Sequence, residues 1–513
     1  MLVKTFGSAV YGVDATTITI EVNVLAGAGY YIVGLPDSAV KESLQRVESA
    51  LKSNKFEMPR TKILVNLSPA DIRKSGTAFD LPIAIGILAG SEALKYTVPL
   101  DQYIIMGELS LDGSILPVKG TLPMAITARK EGFKGMLVPK SNAREAGMVN
   151  NLEVYGVTHI NEVIDFLVNP ESLQAVQVNT REEFFDTQYD FEFDFSDVKG
   201  QENIKRALEI AAAGGHNAIL IGPPGAGKTM LAKRMPSILP PLSLHEALET
   251  TKIHSVAGKL PENAHLVSKR PFRSPHHSVS DAALVGGGSI PQPGEISLAH
   301  NGVLFLDELP EFKRSALEVM RQPMEERKVN ISRAKLALEF PASFMLIASM
   351  NPCPCGYYNH PEKTCSCPPG GVQKYLNKVS GPLLDRIDLH VEVTPVPFNE
   401  LAKKQQGESS SQIRERVIAA RELQAERYKN EPGIYCNAQM SSKSLKEHAE
   451  LSNVGQNLLK IAMNKLNLSA RAYDRILKVS RTIADLAGSQ SIQPEHVAEA
   501  IHFRSLDREG WAG

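Results

Sequence analysis

The N-terminal third of the chain combines two hydrophobic periods. Four hydrophobic residues alternate with polar ones, the pattern of a half-buried β-strand: Ile18, Ile20, Val22 and Val24. Four others recur three or four positions apart, which predicts an amphipathic helix: Val40, Leu44, Val47 and Leu51. A further strand is predicted at Lys62–Leu67, followed by a loop and the apolar segment Asp80–Gly90. Residues 1–170 are therefore predicted to form a mixed α/β domain.

This regularity is lost between residues 171 and 195. Glu182–Phe195 is acidic and aromatic and has no helical periodicity. Within it, Phe191, Phe193 and Phe195 alternate with acidic residues. We predict a linker at 171–195 that lies as an extended strand against a neighbouring surface.

From residue 196, short hydrophobic runs alternate with helical and loop segments, which predicts βα units and a mostly parallel sheet. The predicted strands are Ala218–Ile221, Val303–Leu306, Phe344–Ala348 and Leu389–Val393. This pattern indicates an α/β core at 196–397.

Residues 398–513 are polar and predicted to be helical, after a flexible break at Gly407–Ser411. Ser469 is predicted to cap a helix that runs to about Leu486, which Gly488 ends. Pro494 is predicted to begin the last helix. These residues are interpreted as a helical lid domain.

Composition narrows the class of protein. Of 513 residues, 43% are hydrophobic and 22% are charged, and the net charge is −1. This composition is ordinary for a globular protein of about three domains. It argues against a general nucleic-acid coating protein, which is usually basic. A few local basic loops are still compatible with this near-zero net charge.

The sequence also predicts a cytoplasmic protein without a membrane segment. The N-terminus lacks the apolar core of a signal peptide. The most apolar stretch, Leu81–Gly90, is too short to span a bilayer. Four of the five cysteines cluster within Cys353–Cys367 instead of being spread as in a disulfide framework.

A phosphate-binding motif follows the first strand of the α/β core. It consists of Gly222, Pro223, Pro224, Gly225, Ala226, Gly227, Lys228 and Thr229, and it fits G-x-x-x-x-G-K-[ST] at every fixed position. Its glycines let backbone N–H groups face phosphates, and the following helix presents its N-terminus to them. Lys228 is predicted to reach the β- and γ-phosphates of ATP, and Thr229 to ligate Mg²⁺. The alternative is a plain glycine turn, against which the matching strand and helix argue.

A second motif supplies the acidic half of a nucleotide-hydrolysis site. Asp307 follows the hydrophobic strand Val303–Leu306 and is predicted to hold Mg²⁺. Glu308 is placed to polarise the attacking water. A hydrophobic run that ends in two acids is common, so its significance comes from the phosphate-binding motif.

Residues 196 to about 507 resemble the AAA+ subunit of magnesium chelatase, and most closely the bacterial YifB/ComM family. Beside the two nucleotide motifs, the resemblance is carried by Asp197–Gln201, Arg273–His277 and Pro293–Gly302. It implies a P-loop ATPase that acts as a ring motor, with a homo-hexamer as the expected assembly.

The same resemblance implies roles for three further residues. Asn351 corresponds to the sensor-1 residue, Arg386 to an arginine finger that acts on a neighbour's ATP, and Arg471 to the sensor-2 residue. Taken without the resemblance, Asn351 is as well explained as a turn residue. Each arginine is then as well explained by a surface salt bridge.

A basic hairpin is predicted at Val329–Phe340, with Arg333 and Lys335 near its tip. In related ring motors such a hairpin faces the pore and grips DNA, so both residues are candidate DNA contacts. A surface hairpin with solvated basic side chains explains the pattern equally well.

The N-terminal domain resembles the proteolytic domain of Lon. Gly107–Val118 and Ala128–Lys134 follow that domain's pattern. Lon chemistry needs a serine nucleophile activated by a lysine, and the alignment puts Ala78 and Leu122 at those positions. The resemblance implies a Lon-type (S5-type) α/β fold without peptidase activity, which supports ring assembly or binds substrate.

The clustered cysteines form two C-x-C pairs with nine residues between them: Cys353, Cys355, Cys365 and Cys367. Four thiolates on a short loop can hold Zn²⁺ as a closed structural site, and His360 can replace one of them. Free thiols on an exposed loop are the alternative. His276 and His277 have no carboxylate at ligand spacing beside them, so a loop role is expected.

Together these features predict an ATPase that uses ATP and Mg²⁺, with Zn²⁺ as a candidate structural ion. The resemblance to the YifB/ComM family implies that the activity is DNA remodelling, similar to that of a branch-migration helicase in recombination or natural transformation. Two alternatives stay open: a protein-remodelling ATPase and a chelatase-type motor that acts on a protein partner.

Overall fold

The structure, a computed structural model, describes residues 1–260, 266–288, 291–333, 336–360, 362–396, 407–466 and 468–504. The chain divides into two compact units. Unit 1 contains residues 1–186 and 247–267, and unit 2 contains residues 187–246 and 268–513. Lys335 and the predicted boundary at 397–398 lie outside the described residues.

Unit 1 is built on a mixed sheet. Its strands are β1 (Leu2–Tyr11), β2 (Asp14–Leu25), β3 (Tyr30–Val33), β4 (Lys62–Ser68), β5 (Tyr103–Ile105), β6 (Glu108–Leu109), β7 (Ile115–Leu116), β8 (Gly135–Pro139) and β9 (Glu153–Val157). Seven of them form one sheet in the order β3-β4-β2-β1-β5-β8-β9, and β6 pairs with β7 separately. The predicted alternation is confirmed in β2, where Ile18, Ile20 and Val22 are fully buried.

Helices cover the sheet of unit 1. They are α1 (Ser38–Ser53), α2 (Asp80–Gly90), α3 (Thr121–Lys130), α4 (Lys140–Gly147), α5 (Ile160–Val168) and α6 (Thr180–Thr187). Every residue of α2 is buried, which explains why its sequence is apolar on all sides and carries no period. The interior of unit 1 is thus formed by α2 together with the buried faces of the strands.

The range 171–195 differs from the extended linker that we predicted, because it contains α6. Asn179 accepts a hydrogen bond from the Glu182 N–H and donates one to the Glu182 carboxylate at 2.7 Å, which starts the helix. Phe184 is buried and anchors it. Local capping and one buried aromatic side chain therefore produce a helix that periodicity did not indicate.

Residues 247–267 lie inside the predicted ATPase range of 196–397, yet they belong to unit 1. They include most of α10 (Leu244–Ala257), where the Ser255 carbonyl accepts a hydrogen bond from Gly120 N at 3.2 Å. The Ser255 hydroxyl donates to the buried Glu145 carboxylate, which also accepts the Leu122 N–H at 2.8 Å. Unit 1 is therefore discontinuous in sequence.

Unit 2 contains a five-stranded sheet. Its strands are β10 (Ala218–Ile221), β11 (Phe272–Arg273), β14 (Val303–Leu306), β17 (Met345–Met350) and β18 (Leu389–Glu392). They lie in the order β11-β14-β17-β10-β18, and all four pairings are parallel. Two small antiparallel pairs accompany the sheet: β12 (Gly286–Gly287) with β13 (Gln292–Pro293), and β15 (Lys328–Arg333) with β16 (Leu336–Pro341).

The helices around this sheet are mostly short. They are α7 (Glu202–Gly214), α8 (Lys228–Lys233), α9 (Met235–Ile238), α11 (Asp281–Val285), α12 (Glu295–Leu298), α13 (Arg314–Val319), α14 (Arg321–Glu326), α15 (Gly371–Leu376) and α16 (Gly381–Leu384). Because all four strand pairings are parallel, the carboxyl ends of the five strands lie at the same edge of the sheet.

The C-terminal part of unit 2 is helical, as predicted. It contains α17 (Ser410–Tyr428), α18 (Ser442–His448), α19 (Asn453–Leu466), α20 (Ala470–Leu486) and α21 (Pro494–His502). Ser469 caps α20, and Pro494 occupies the first turn of α21, which confirms both helix starts. The predicted break at Gly407–Ser411 is wrong in its last two residues, because Ser409 and Gln412 form a capping box that starts α17 at Ser410. The α/β class with a parallel sheet and a helical C-terminal region is confirmed.

Candidate functional site

The phosphate-binding motif forms the turn between β10 and α8. Gly222 lies against β18, where a Cβ atom would come within 2.2 Å of the Val393 carbonyl oxygen, so only glycine fits. Gly227 has a φ of +86° and immediately precedes Lys228, the first residue of α8. The turn therefore leads backbone N–H groups into a helix N-terminus, the geometry that binds phosphate.

Lys228 is held inside this turn. Its ammonium donates to the carbonyl oxygens of Gly222 at 2.7 Å and Pro223 at 2.9 Å, and to the Asn351 side-chain oxygen at 3.1 Å. Burial lowers the pKa of Lys228, and the nearby carboxylates of Asp307 and Glu308 act in the opposite direction. The structure thus brings together Lys228, from the turn after β10, and Asn351, which directly follows β17.

Asp307 follows β14 and faces the start of α8. Its carboxylate accepts a hydrogen bond from the Thr229 hydroxyl at 2.7 Å and a second one from the Ser349 hydroxyl. A hydroxyl and a carboxylate side by side are hard oxygen donors of the kind that Mg²⁺ prefers. The residues therefore fit a magnesium site, and Ser349, which sequence reasoning missed, contacts Asp307 beside it.

Glu308 lies next to Asp307 in the left-handed backbone region, with a φ of +54°. One of its carboxylate oxygens is 3.5 Å from Nδ1 of His277. His277 lies in a turn after β11, as expected for a loop residue, and its contact with Glu308 was not predicted from the sequence. The pairing of β11 with β14 brings the two residues together across the sheet edge.

The two arginines make salt bridges within the chain. Arg386 is buried and contacts the Glu325 carboxylate at 2.7 Å, whereas Arg471 is exposed and lies 3.6 Å from Asp385. Arg475, on the same helix as Arg471, reaches the buried Asp388 at 3.1 Å. Asp388 also faces His216, and the charge of Arg475 together with the hydrogen bond to His216 holds the pKa of the Asp388 carboxyl below its usual range despite burial.

The four clustered cysteines converge after β17. Their sulfur atoms all lie within 4.8 Å of one another, and three of the separations are 3.3, 3.5 and 3.8 Å. Sulfur atoms around a tetrahedral zinc ion, with Zn–S bonds of about 2.3 Å, stand about 3.8 Å apart. The cluster therefore fits zinc. Among the described residues, the group of ligand atoms consists of the four cysteines without His360, whose Nδ1 accepts the backbone N–H groups of Glu362 and Lys363 at 3.1 Å.

This cysteine cluster touches the phosphate-binding turn. Gly356, between the two cysteine pairs, packs so closely on Pro224 that a Cβ atom would lie 2.4 Å from its ring. Cys353 accepts the Tyr358 N–H at 3.3 Å, which closes the loop around that contact. Backbone N–H donors from Tyr357 and Ser366 lower the pKa of Cys355 to about 5.

The predicted hairpin is present as the antiparallel pair β15–β16. Asn330 pairs with Glu339, and Lys328 forms a 2.8 Å ion pair with the same glutamate. Val329 and Phe340 are buried, so the base of the hairpin is anchored. Arg333 ends β15 opposite Leu336, and Lys335 lies outside the described residues.

The two positions aligned with the Lon dyad lie in apolar surroundings in unit 1. Leu122 is fully buried, and Ala78 packs at the edge of the same hydrophobic cluster, as does Leu266. Thr77, next to Ala78, donates its hydroxyl to Glu108. Lys119 runs along Gly258, where a Cβ atom would come within 2.8 Å of its Cε.

Three family descriptions match the chain. Residues 194–401 match "Magnesium chelatase, subunit ChlI", residues 20–142 match "Subunit ChlI of Mg-chelatase", and residues 407–504 match its C-terminal region. Among the described residues, no helix is both long and apolar enough to cross a bilayer.

Several known proteins are similar to this one. Competence protein ComM of Haemophilus influenzae is 46% identical over 506 residues, which covers 98% of this chain and 97% of that protein. The YifB protein of Escherichia coli is 44% identical over 506 residues, covering 98% and 96%. Lon protease 2 of Bacillus subtilis is 31% identical over 184 residues, a third of either chain.

Proposed function

Because this chain belongs to the ComM and YifB family of magnesium-chelatase-like AAA+ proteins, we propose that it is an ATP-driven ring motor that remodels DNA. The observation that supports it most is the meeting of Lys228, Thr229 and Asp307 at one sheet edge, with Asn351 and Glu308 beside them. ATP would bind there, with its phosphates on the turn at Gly222–Thr229.

Each residue of the site has a defined task in hydrolysis. Lys228 exchanges its carbonyl partners for the β- and γ-phosphate oxygens, and Asn351 positions water near them. Glu308 accepts a proton from that water as its oxygen attacks the γ-phosphorus, while the bond from that phosphorus to the β,γ-bridging oxygen breaks and ADP leaves. Thr229 and Asp307 would hold Mg²⁺, which would neutralise the negative charge that develops on the phosphates. His277 orients the Glu308 carboxylate.

The motor is proposed to be a ring of identical subunits, with a hexamer as the expected size. Arg386 is proposed as the residue that reaches the ATP of the next subunit, and Arg471 as a second arginine that responds to nucleotide. Both lie near the helical C-terminal elements, since Arg471 is on α20 and contacts Asp385. Light scattering with and without ATP would measure the assembly.

DNA is proposed as the substrate because Arg333 ends β15, at the end of the hairpin away from its buried base, and a second basic residue, Lys335, follows it in the sequence. A relative that is 46% identical over nearly the full length is named a competence protein. Basic side chains at the end of an anchored hairpin can follow a phosphate backbone without reading its bases.

The test compares two ends of the same hairpin. Arg333→Ala combined with Lys335→Ala is expected to remove DNA stimulation of the ATPase. It should also lower the log–log salt slope of DNA binding by about one for each lost phosphate contact. Lys328→Ala, at the base, is the control and should leave both unchanged. Stimulation by casein with no response to single-stranded or forked DNA would instead favour a protein-remodelling or chelatase-type motor.

We also propose that the cysteine cluster holds one structural Zn²⁺, supported by its sulfur spacing. Such a site is closed and has no catalytic role of its own. Its position suggests that the ion stiffens the loop that supports Pro224 and Asn351. A cytoplasmic location is proposed with it, because free thiolates for zinc persist in a reducing compartment.

A further inference from the structure

Arg386 is held in an unusual way for a residue that must reach another subunit. Its side chain is only 9% exposed, and its guanidinium donates to the Pro382 carbonyl at 2.6 Å and pairs with Glu325 at 2.7 Å. Its buried Nε atom has no hydrogen-bond partner among the described residues. The guanidinium is therefore turned inward, and its hydrogen-bonding capacity is not fully used there.

Glu325 belongs to the element that carries the hairpin. It lies in the last turn of α14, and only Glu326 and Arg327 separate it from the first residue of β15. Arg327 turns the chain in the left-handed region with a φ of +57°, and its carbonyl accepts the Ala342 N–H at 2.8 Å where β16 ends. A displacement of α14 at Glu325 is thus transmitted directly to the base of the hairpin.

The residues on either side of Arg386 in the sequence contact the C-terminal helical region. Asp385 contacts Arg471, and Asp388 contacts Arg475, both on α20. The Arg386 carbonyl also accepts a hydrogen bond from the Asn217 side chain at 3.3 Å, which fixes the backbone beside β10. Since the backbone is fixed, only the Arg386 side chain is free to change partners.

We propose that Glu325 is a positioning residue that holds Arg386 inward and couples its release to the β15–β16 hairpin. The inference rests on the proposed function, in which Arg386 acts on the neighbouring subunit's ATP. Glu325 is half exposed, so its carboxylate competes weakly with a triphosphate, which offers more negative charge to the same guanidinium. When Arg386 moves to the phosphates, α14 loses its ion pair, and the hairpin base becomes free to shift.

Glu325→Gln tests the coupling, because it keeps the side-chain shape and removes the charge. Without DNA, the ATPase kcat is expected to rise about threefold to tenfold with an unchanged KM for ATP, since Arg386 is then more available. The stimulation by a single-stranded oligonucleotide should shrink by the same factor. Glu325→Asp, which retains the carboxylate, should restore values near those of the original protein.

Two further variants make the outcome decisive. Glu326→Gln changes the neighbouring glutamate, which contacts Gln322 at 2.8 Å, and should have no effect. Glu325→Gln combined with Arg386→Ala should behave like Arg386→Ala alone, because Glu325 acts through that arginine. An unchanged or lower kcat for Glu325→Gln, or equal effects of the Gln and Asp variants, would overturn the proposal.

The result for Arg386→Ala separates the two hypotheses. If Arg386→Ala abolishes the ATPase and Glu325→Gln changes nothing, the arginine keeps its proposed role and only the coupling is wrong. If Arg386→Ala leaves kcat unchanged, the arginine does not act on ATP, and the proposed ring mechanism fails together with the coupling.

Discussion

The two units differ in the kind of residue that occupies the positions where the resemblances place catalytic groups. In unit 2, the residues at the carboxyl edge of the sheet stay polar and contact one another, as Lys228 with Asn351 and Thr229 with Asp307. In unit 1, the two positions aligned with a peptidase dyad carry apolar residues, with Leu122 inside a hydrophobic cluster and Ala78 at its edge. The comparison teaches that the side chains at such positions, and not the fold alone, decide which chemistry a unit can support.

The largest effect is expected from restoring a charge at the apolar position. Leu122→Lys should destabilise unit 1 by more than about 4 kcal/mol, because it buries an ammonium among the apolar side chains that surround Leu122. Leu122→Ala, which only leaves a cavity, should cost about 3 kcal/mol. Thermal unfolding measures both. A Leu122→Lys variant as stable as the original would break the comparison, since the position would still accept a catalytic lysine.

The next largest effect concerns the polar site. Lys228→Ala should lower the ATPase rate by about 10²–10³-fold, because it removes the cation that neutralises charge on the transferred phosphoryl group. Lys233→Ala, an exposed lysine on the same helix, is the matched control. ATP turnover at saturating ATP and the melting temperature would be recorded for both. Equal activities would show that the site is not where hydrolysis occurs.

An intermediate effect is expected from the loss of the proposed zinc ion. Cys353→Ser should abolish a zinc content of one ion per chain and weaken ATP binding about threefold to tenfold, because Gly356 then no longer supports Pro224 firmly. Cys436→Ser, which removes a buried cysteine outside the cluster, should preserve the zinc. Elemental analysis of protein purified under reducing conditions gives the content. Zinc-free original protein would contradict the assignment.

The smallest effect is expected from His277, whose contact with Glu308 was not predicted from the sequence. His277→Ala should lower kcat about twofold to fivefold, since it removes one half-exposed partner of Glu308. His276→Ala is the control, because the His276 ring is the neighbour of His277 but its Nδ1 faces the Ser278 hydroxyl at 2.8 Å instead of Glu308. A loss of a hundredfold or more for His277→Ala would mean that the histidine itself takes part in proton transfer.

Sequence patterns predicted those features that are encoded locally. The bounds of β10 and β14 match the predicted strands, because each is an uninterrupted hydrophobic run next to a glycine or an acid. The start of α20 follows from Ser469, and its end from Gly488 with a φ of +64°. The motif at Gly222–Thr229 likewise predicted the turn that these residues form between a strand and a helix.

Features that depend on distant residues could not be predicted in this way. Ser349 and His277 reach Asp307 and Glu308 only because the sheet order places β17 and β11 on either side of β14. Nothing in the spacing of these residues along the chain indicates that neighbourhood. The helix α6 was missed for a different reason, since a cap and one buried side chain outweighed an irregular pattern.

The inclusion of residues 247–267 in unit 1 has a consequence for synthesis of the protein. The chain of unit 1 stops at residue 186 and resumes at 247, so a ribosome must complete residue 267 before all of its parts exist. At about 5–20 residues per second, this adds roughly 4–16 seconds after residue 186 is made. Until then the Glu145 carboxylate lacks the Ser255 hydroxyl, and the hydrophobic cluster lacks Leu266. The phosphate-binding turn therefore leaves the ribosome before the N-terminal unit is complete.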